Sequence, residues 1–131
     1  MNAATRRECL NPPGMAFAGM SQGVRVGDTI HVSGQVALRD GGVIGIGDPE
    51  AQARQCLANI EAVLNLSGAG LADVVALRCY LVDAAHYPAY SAVKNALFPI
   101  DPPCGTAVIV KGLLLPELLI EVEAVATLPG G

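Results

Sequence analysis

The sequence predicts an α+β protein, a mixed sheet with two helices on one of its faces. Three observations predict it. Stretches of β-like alternation surround two helical stretches in the order ββαβαββ. The first helical stretch carries a continuous apolar stripe. Hydrophobic residues make up 52% of the 131 residues and charged ones only 15%, which excludes a disordered chain. The length suits one domain spanning 1–131. That much apolar residue exceeds what one small core hides, so the uncovered sheet face is expected to meet a partner subunit.

The elements follow in order. Residues 1–19, with Pro12 and Pro13, read as an irregular lead-in. Two β-like runs then flank Gly27-Asp28, a hairpin-type turn. In the second run Ile30, Val32 and Gly34 alternate with Thr29, His31 and Ser33, which assigns them to opposite faces. Residues 40–47 hold four glycines and read as a loop. A helix follows, with Asp48 as cap, Pro49 at its first position and Glu50 at the positive end of its dipole. Ala53, Cys56, Leu57, Ile60, Val63 and Leu64 form its apolar stripe, and Gly68 and Gly70 end it. A strand over Val74–Val82 shows Val75, Leu77, Cys79 and Leu81 on one face and Arg78 and Tyr80 on the other. A second helix runs from His86 to Phe98, where prolines break it. Strands near Thr106–Lys111 and Leu118–Ala126 complete the set.

Composition narrows the function. Eight basic against twelve acidic residues give a net charge of −4, with 4% aromatics. Neither phosphate-binding charge nor stacking platforms for nucleic acid are present in quantity. No apolar run approaches the ~20 residues of a membrane span, and the arginines near the start precede no secretory apolar segment. The four cysteines, Cys9, Cys56, Cys79 and Cys104, show neither disulfide nor zinc spacing and read as reduced thiols of a cytoplasmic protein. No nucleotide loop, metalloprotease helix or nucleophile elbow occurs, and no metal or cofactor is expected.

The polar candidates sit at strand ends. Glu121 and Glu123 share one face of an apolar strand, either as salt-bridged rim residues or as a general base whose pKa is raised by its setting. Ser33 precedes Gly34-Gln35 and reads first as a strand-end hydroxyl. Cys104, in Pro102-Pro-Cys-Gly-Thr106, has no cation beside it in sequence, so packing is the better reading than reactivity. His31 reads as a hydrogen-bonded interior histidine, and Arg78 as an inter-subunit ion pair or an anion anchor.

Three segments in this order carry a resemblance: Gln22-Gly-Val-Arg-Val-Gly-Asp28 leading to Val32-Ser-Gly-Gln35, Ala51-Gln-Ala-Arg-Gln55, and Ile120-Glu-Val-Glu-Ala-Val-Ala126. Together they resemble the YjgF/RidA family of reactive intermediate deaminases, also labelled endoribonuclease L-PSP, over about residues 20–126. The resemblance implies a chorismate-mutase-like fold, a homotrimer with ligand clefts between subunits, and cofactor-free hydrolysis of reactive enamines and imines. It places the water-positioning glutamate on Glu121 and the serine of the site on Ser33. The family's carboxylate-clamping arginine falls on Gly105, beside Cys104. Its aromatic residue falls on Met20 and its asparagine on Ser91. The resemblance therefore implies a deaminase-like hydrolase acting on a non-standard small molecule. The alternative is a non-catalytic ligand-binding or scaffold trimer of the same fold. Neither involves nucleic acid or membrane.

Overall fold

The structure, a computed structural model, describes residues 6–129. Eight strands and two helices follow one another along them: β1 (Arg7–Leu10), β2 (Gly23–Val26), β3 (Thr29–Val36), β4 (Leu38–Arg39), β5 (Gly42–Val43), α1 (Pro49–Asn65), β6 (Val74–Leu81), α2 (Tyr87–Leu97), β7 (Cys104–Ile109) and β8 (Ile120–Thr127). Single 3-10 turns at Leu71–Asp73 and Ala84–His86 lead into β6 and α2. Six strands form one sheet in the order β1-β2-β3-β8-β6-β7. Only β6 and β7 are parallel, joined by the α2 crossover, so the sheet is mixed as expected.

Both helices lie on one face. The α1 stripe of Ala53, Cys56, Leu57, Ile60, Val63 and Leu64 is wholly buried. It packs with Ile30 and Val32 of β3, Leu77, Cys79 and Leu81 of β6, and Ile120, Val122, Ala124 and Ala126 of β8. Tyr90 and Val93 bring α2 onto the same core. Asp48 caps α1 by accepting from the Ala51 amide at 3.1 Å, with Pro49 in the first turn. The chain leaves α1 through Gly68, whose positive φ of 75° suits glycine.

Three expectations are corrected. The lead-in is not irregular throughout: Arg7–Leu10 pairs with β2 at the sheet edge, while its first five residues lie outside the described residues. Residues 40–47 are not all loop, because Asp40 and Gly41, both at positive φ, close a tight hairpin between β4 and β5. The alternation in β3 also breaks. Its register against β8 shifts between Val32 and Gln35, and the bulge turns Gly34 away from the Ile30/Val32 face. The helical spans and the last three strands agree with expectation to within two residues at nearly every end.

Gln52 ties the loops at one end of the sheet to α1. Its amide nitrogen donates to the Gly45 and Glu117 carbonyls at 3.1 and 2.9 Å, and its amide oxygen accepts from Leu119 N–H at 2.8 Å. At the far edge, all six residues of β7 are exposed, and Ile109 remains 55% so. No helix of the described residues is long and apolar enough to cross a membrane.

Candidate functional site

The sheet face away from the helices carries the candidate residues. On β8, Ile120, Val122, Ala124 and Ala126 point into the core, so Glu121, Glu123 and Val125 point outward. The β3 bulge opposite them is built by Ser33-Gly34-Gln35. Ser33 Oγ donates to the Ser21 carbonyl at 2.7 Å and pins the segment carrying Met20. Gln35, only 4% exposed, donates to Gln22 Oε1 at 2.7 Å and to the Ser33 carbonyl at 3.1 Å. Gly34 has a different task. A Cβ there would lie 2.6 Å from Glu121 Oε2, so the missing side chain is what lets the carboxylate rest against the strand.

The two outward glutamates differ in their partners. Glu123 Oε1 accepts from Arg78 Nη1 at 3.3 Å and from the Tyr80 hydroxyl. Glu121 has no such compensation. Its partial burial, and then the nearby charge of Glu123, push its carboxyl pKa above the ordinary carboxylate range. Of the two readings of this pair, rim salt bridge therefore describes Glu123 and raised-pKa carboxyl describes Glu121.

Cys104 and Gly105 lie elsewhere on the same side. With Ala76, Arg78, Thr106 and Glu123 they line an open depression of ≈ 160 Å³ that includes neither Glu121 nor Ser33. Cys104 pairs with Ala76, and Ala76 with Val125, four residues beyond Glu121 on β8. Two strand spacings and four residue rises separate Glu121 from Cys104 by about 16 Å within one chain. Ser91 stands on α2, across the sheet from both. One chain thus sets Ser33 beside the Gly34 against which Glu121 rests, sets Cys104 with Gly105 in a second place, and leaves Ser91 apart.

Side-chain surroundings correct three more readings. Cys104 is exposed rather than packed, its thiol donating to the Val75 carbonyl at 3.3 Å. His31 is exposed rather than interior. Arg78 makes its ion pair within the chain. The buried thiols are inert by contrast: burial pushes Cys79 up to about 12 and raises Cys56 further. Sequence reasoning missed two residues of the site. Tyr80 lies directly opposite Glu121 on β6. Gly34 was assigned to the wrong face. The Tyr80 position was legible, since it alternates with Cys79 and Leu81, but its pairing to β8 was not.

Comparison with known proteins gives this arrangement its relatives. Residues 12–128 match the family model described as Endoribonuclease L-PSP. The mitochondrial protein mmf1 of Schizosaccharomyces pombe is 32% identical over 122 residues, covering 89% of this chain and 74% of that protein. A RutC family protein of Pyrococcus abyssi is 36% identical over 107 residues, covering 81% and 84%. Among solved structures, a YjgF family member from Mycobacterium tuberculosis is 33% identical with a TM-score of 0.81, covering 94% of this chain and all of that one. A match to the family model over most of the chain, with relatives above 30% identity along most of their own length, makes this chain a member of the endoribonuclease L-PSP, or YjgF/RidA, family.

Proposed function

We propose that the protein is an enamine/imine deaminase-like hydrolase of reactive small molecules, working in clefts between the subunits of a homotrimer. The observation that carries this reading is the outward carboxyl of Glu121, seated against Gly34 with its pKa raised. An enamine first tautomerises to the imine, and protonation of the imine nitrogen makes its carbon electrophilic. Glu121 orients a water, takes its proton as oxygen adds to that carbon, and returns it to the nitrogen; the hydroxyl proton of the adduct then passes to Glu121 as the C–N bond breaks, so that ammonia leaves and a carbonyl remains. Ser33, next to Gly34, lies beside this carboxyl and ties down the segment that carries Met20. Cys104 and Gly105, about 16 Å away in the same chain, join it from a neighbouring subunit, whereas Ser91, on the helix face, stays outside the cleft.

The measurement is ammonia release from freshly generated 2-aminoacrylate and from larger cyclic or carboxymuconate-type enamines. Glu121→Gln keeps the shape and removes the base, so turnover is expected to fall ~10²–10⁴-fold with assembly intact. Unchanged turnover would move the base elsewhere.

A second reading, a ligand-binding trimer without catalysis, is favoured by one observation. Gly105 offers no guanidinium, and the nearest arginine in the depression, Arg78, is already engaged by Glu123. Absence of ammonia release from every enamine tested would select it. A ribonuclease reading finds little support in a chain of net charge −4.

A further inference from the structure

Two carboxylates on one strand face compete for the same proton, and their other partners decide which of them holds it. Glu121 and Glu123 stand two residues apart on β8, about 7 Å along the strand. Tyr80 is the β6 residue directly opposite Glu121, yet its hydroxyl reaches diagonally to Glu123. Arg78, the β6 residue opposite Glu123, adds its guanidinium to the same Oε1 at 3.3 Å. Both donors of β6 on this face are thus committed to the second carboxylate.

We infer that Glu123, clamped by Arg78 and Tyr80, is a positioning residue for Glu121: it takes both β6 donors of this face and leaves Glu121 as the unclamped carboxyl of the pair, the one placed to accept and return a proton. The role of that carboxyl in turnover rests on the deaminase reading, whereas the coupling of the two glutamates does not. Imine hydrolysis needs a group that accepts a proton from water and donates one to the departing amine, and such a group works best when it titrates near the operating pH. A fixed negative charge along the same strand moves a carboxyl in that direction.

The surroundings leave few other sources for this effect. On this face β8 contributes Glu123, and β6 contributes Arg78 and Tyr80. From β3 comes His31, which pairs with Val125, four residues from Glu121. On the opposite face, α1 sets Cys56 against the Ile120 carbonyl, and β6 sets Cys79 in the core. Burial keeps both thiols protonated.

The test is a carbon-13 NMR titration of the glutamate carboxyls, with Glu121 assigned by its loss in Glu121→Gln, run beside the pH profile of ammonia release. Glu123→Gln is expected to lower the Glu121 midpoint by roughly half to one and a half pH units, the Coulomb effect of one charge at about 7 Å in a medium between protein and water. The acid limb of ammonia release should move with it. Arg78→Met removes the cation and leaves Glu123 charged, so it should move the midpoint the other way. Glu61→Gln, on the exposed face of α1, should leave it in place. An unmoved midpoint in Glu123→Gln would overturn the inference. So would a shift of Glu123→Gln and Arg78→Met in the same direction, the mark of general disturbance. If midpoints move as stated and no enamine is hydrolysed, the deaminase reading falls and the carboxyl pair stands. If ammonia is released and the midpoints do not move, only the pair falls.

Discussion

A carboxyl whose pKa is higher in the folded chain than in the unfolded one contributes its full stability below the unfolded value, about 4.3 for glutamate, and loses it as pH rises through the folded value. Glu121 is such a group, raised first by burial and then by Glu123. Its ionised form therefore costs stability at neutral pH. Glu121→Gln should melt above the parent protein at pH 7, and the difference should vanish as pH falls below about 4; a mutant melting lower at pH 7 would contradict this origin of the shift. Gly105 is the other decisive residue. Its backbone is not in the left-handed region, and a Cβ would meet only the Leu77 carbonyl at 3.8 Å. Arginine fits there without backbone strain. Gly105→Arg supplies a forked cation, and should raise 2-aminoacrylate hydrolysis by about tenfold or more through one charge-assisted contact. Ammonia release at matched protein content measures it, and an intact mutant with no gain would remove α-imino acids from the substrate class. At this scale the sequence exposed Glu121 through plain alternation. It hid Gly34, because a bulge reverses alternation and leaves no periodic trace.

Among the elements, α1 was the most legible, since cap, proline and stripe all agree. Its polar side chains were not. Gln52, Gln55 and Asn59 are buried, and a stripe analysis counts them as solvent-facing. Each is there for a carbonyl or amide that has lost its water: Asn59 donates at 3.0 Å to both the Val36 and Leu38 carbonyls, where the chain leaves β3 for β4. Gln52 serves three backbone groups in two loops. Gln52→Ala leaves all three unpartnered in a site closed to solvent, and should cost about 2–4 kcal/mol. Urea unfolding followed by circular dichroism measures this, and a loss below about 0.5 kcal/mol would show that water takes over. The β4–β5 hairpin was readable in principle from Asp40-Gly41, but the surrounding glycines masked it as a loop. The strand at Arg7–Leu10 had no signal of its own, because three of its four residues are exposed and pairing alone defines it.

The whole molecule presents one sheet face to its helices and leaves the other without them. The element order foretold that asymmetry, since two helices among the strands of one sheet can share a face. Val75, Val108 and Ile109 on β6 and β7 are exposed at 47%, 39% and 55%. The mass of the particle in solution, by light scattering at micromolar concentration, should be near three times 13.4 kDa; a monomeric mass would remove the inter-subunit cleft. What sequence could not supply at this scale was the register across β6, β7 and β8. That register decides that Cys104 and Glu121 are far apart in one chain, and it is fixed by long-range pairing rather than by any local pattern. One edge of the sheet has a further consequence. From Cys104 to Ile109, β7 holds no charge and no proline, and one of its hydrogen-bonding sides has no neighbour among the described residues. A strand of that kind is a template for amyloid-like stacking. Pro102 and Pro103 just before it and Lys111 just after it stand where gatekeeper residues interrupt such growth. Aggregation of the unfolded chain is therefore expected to begin at this strand.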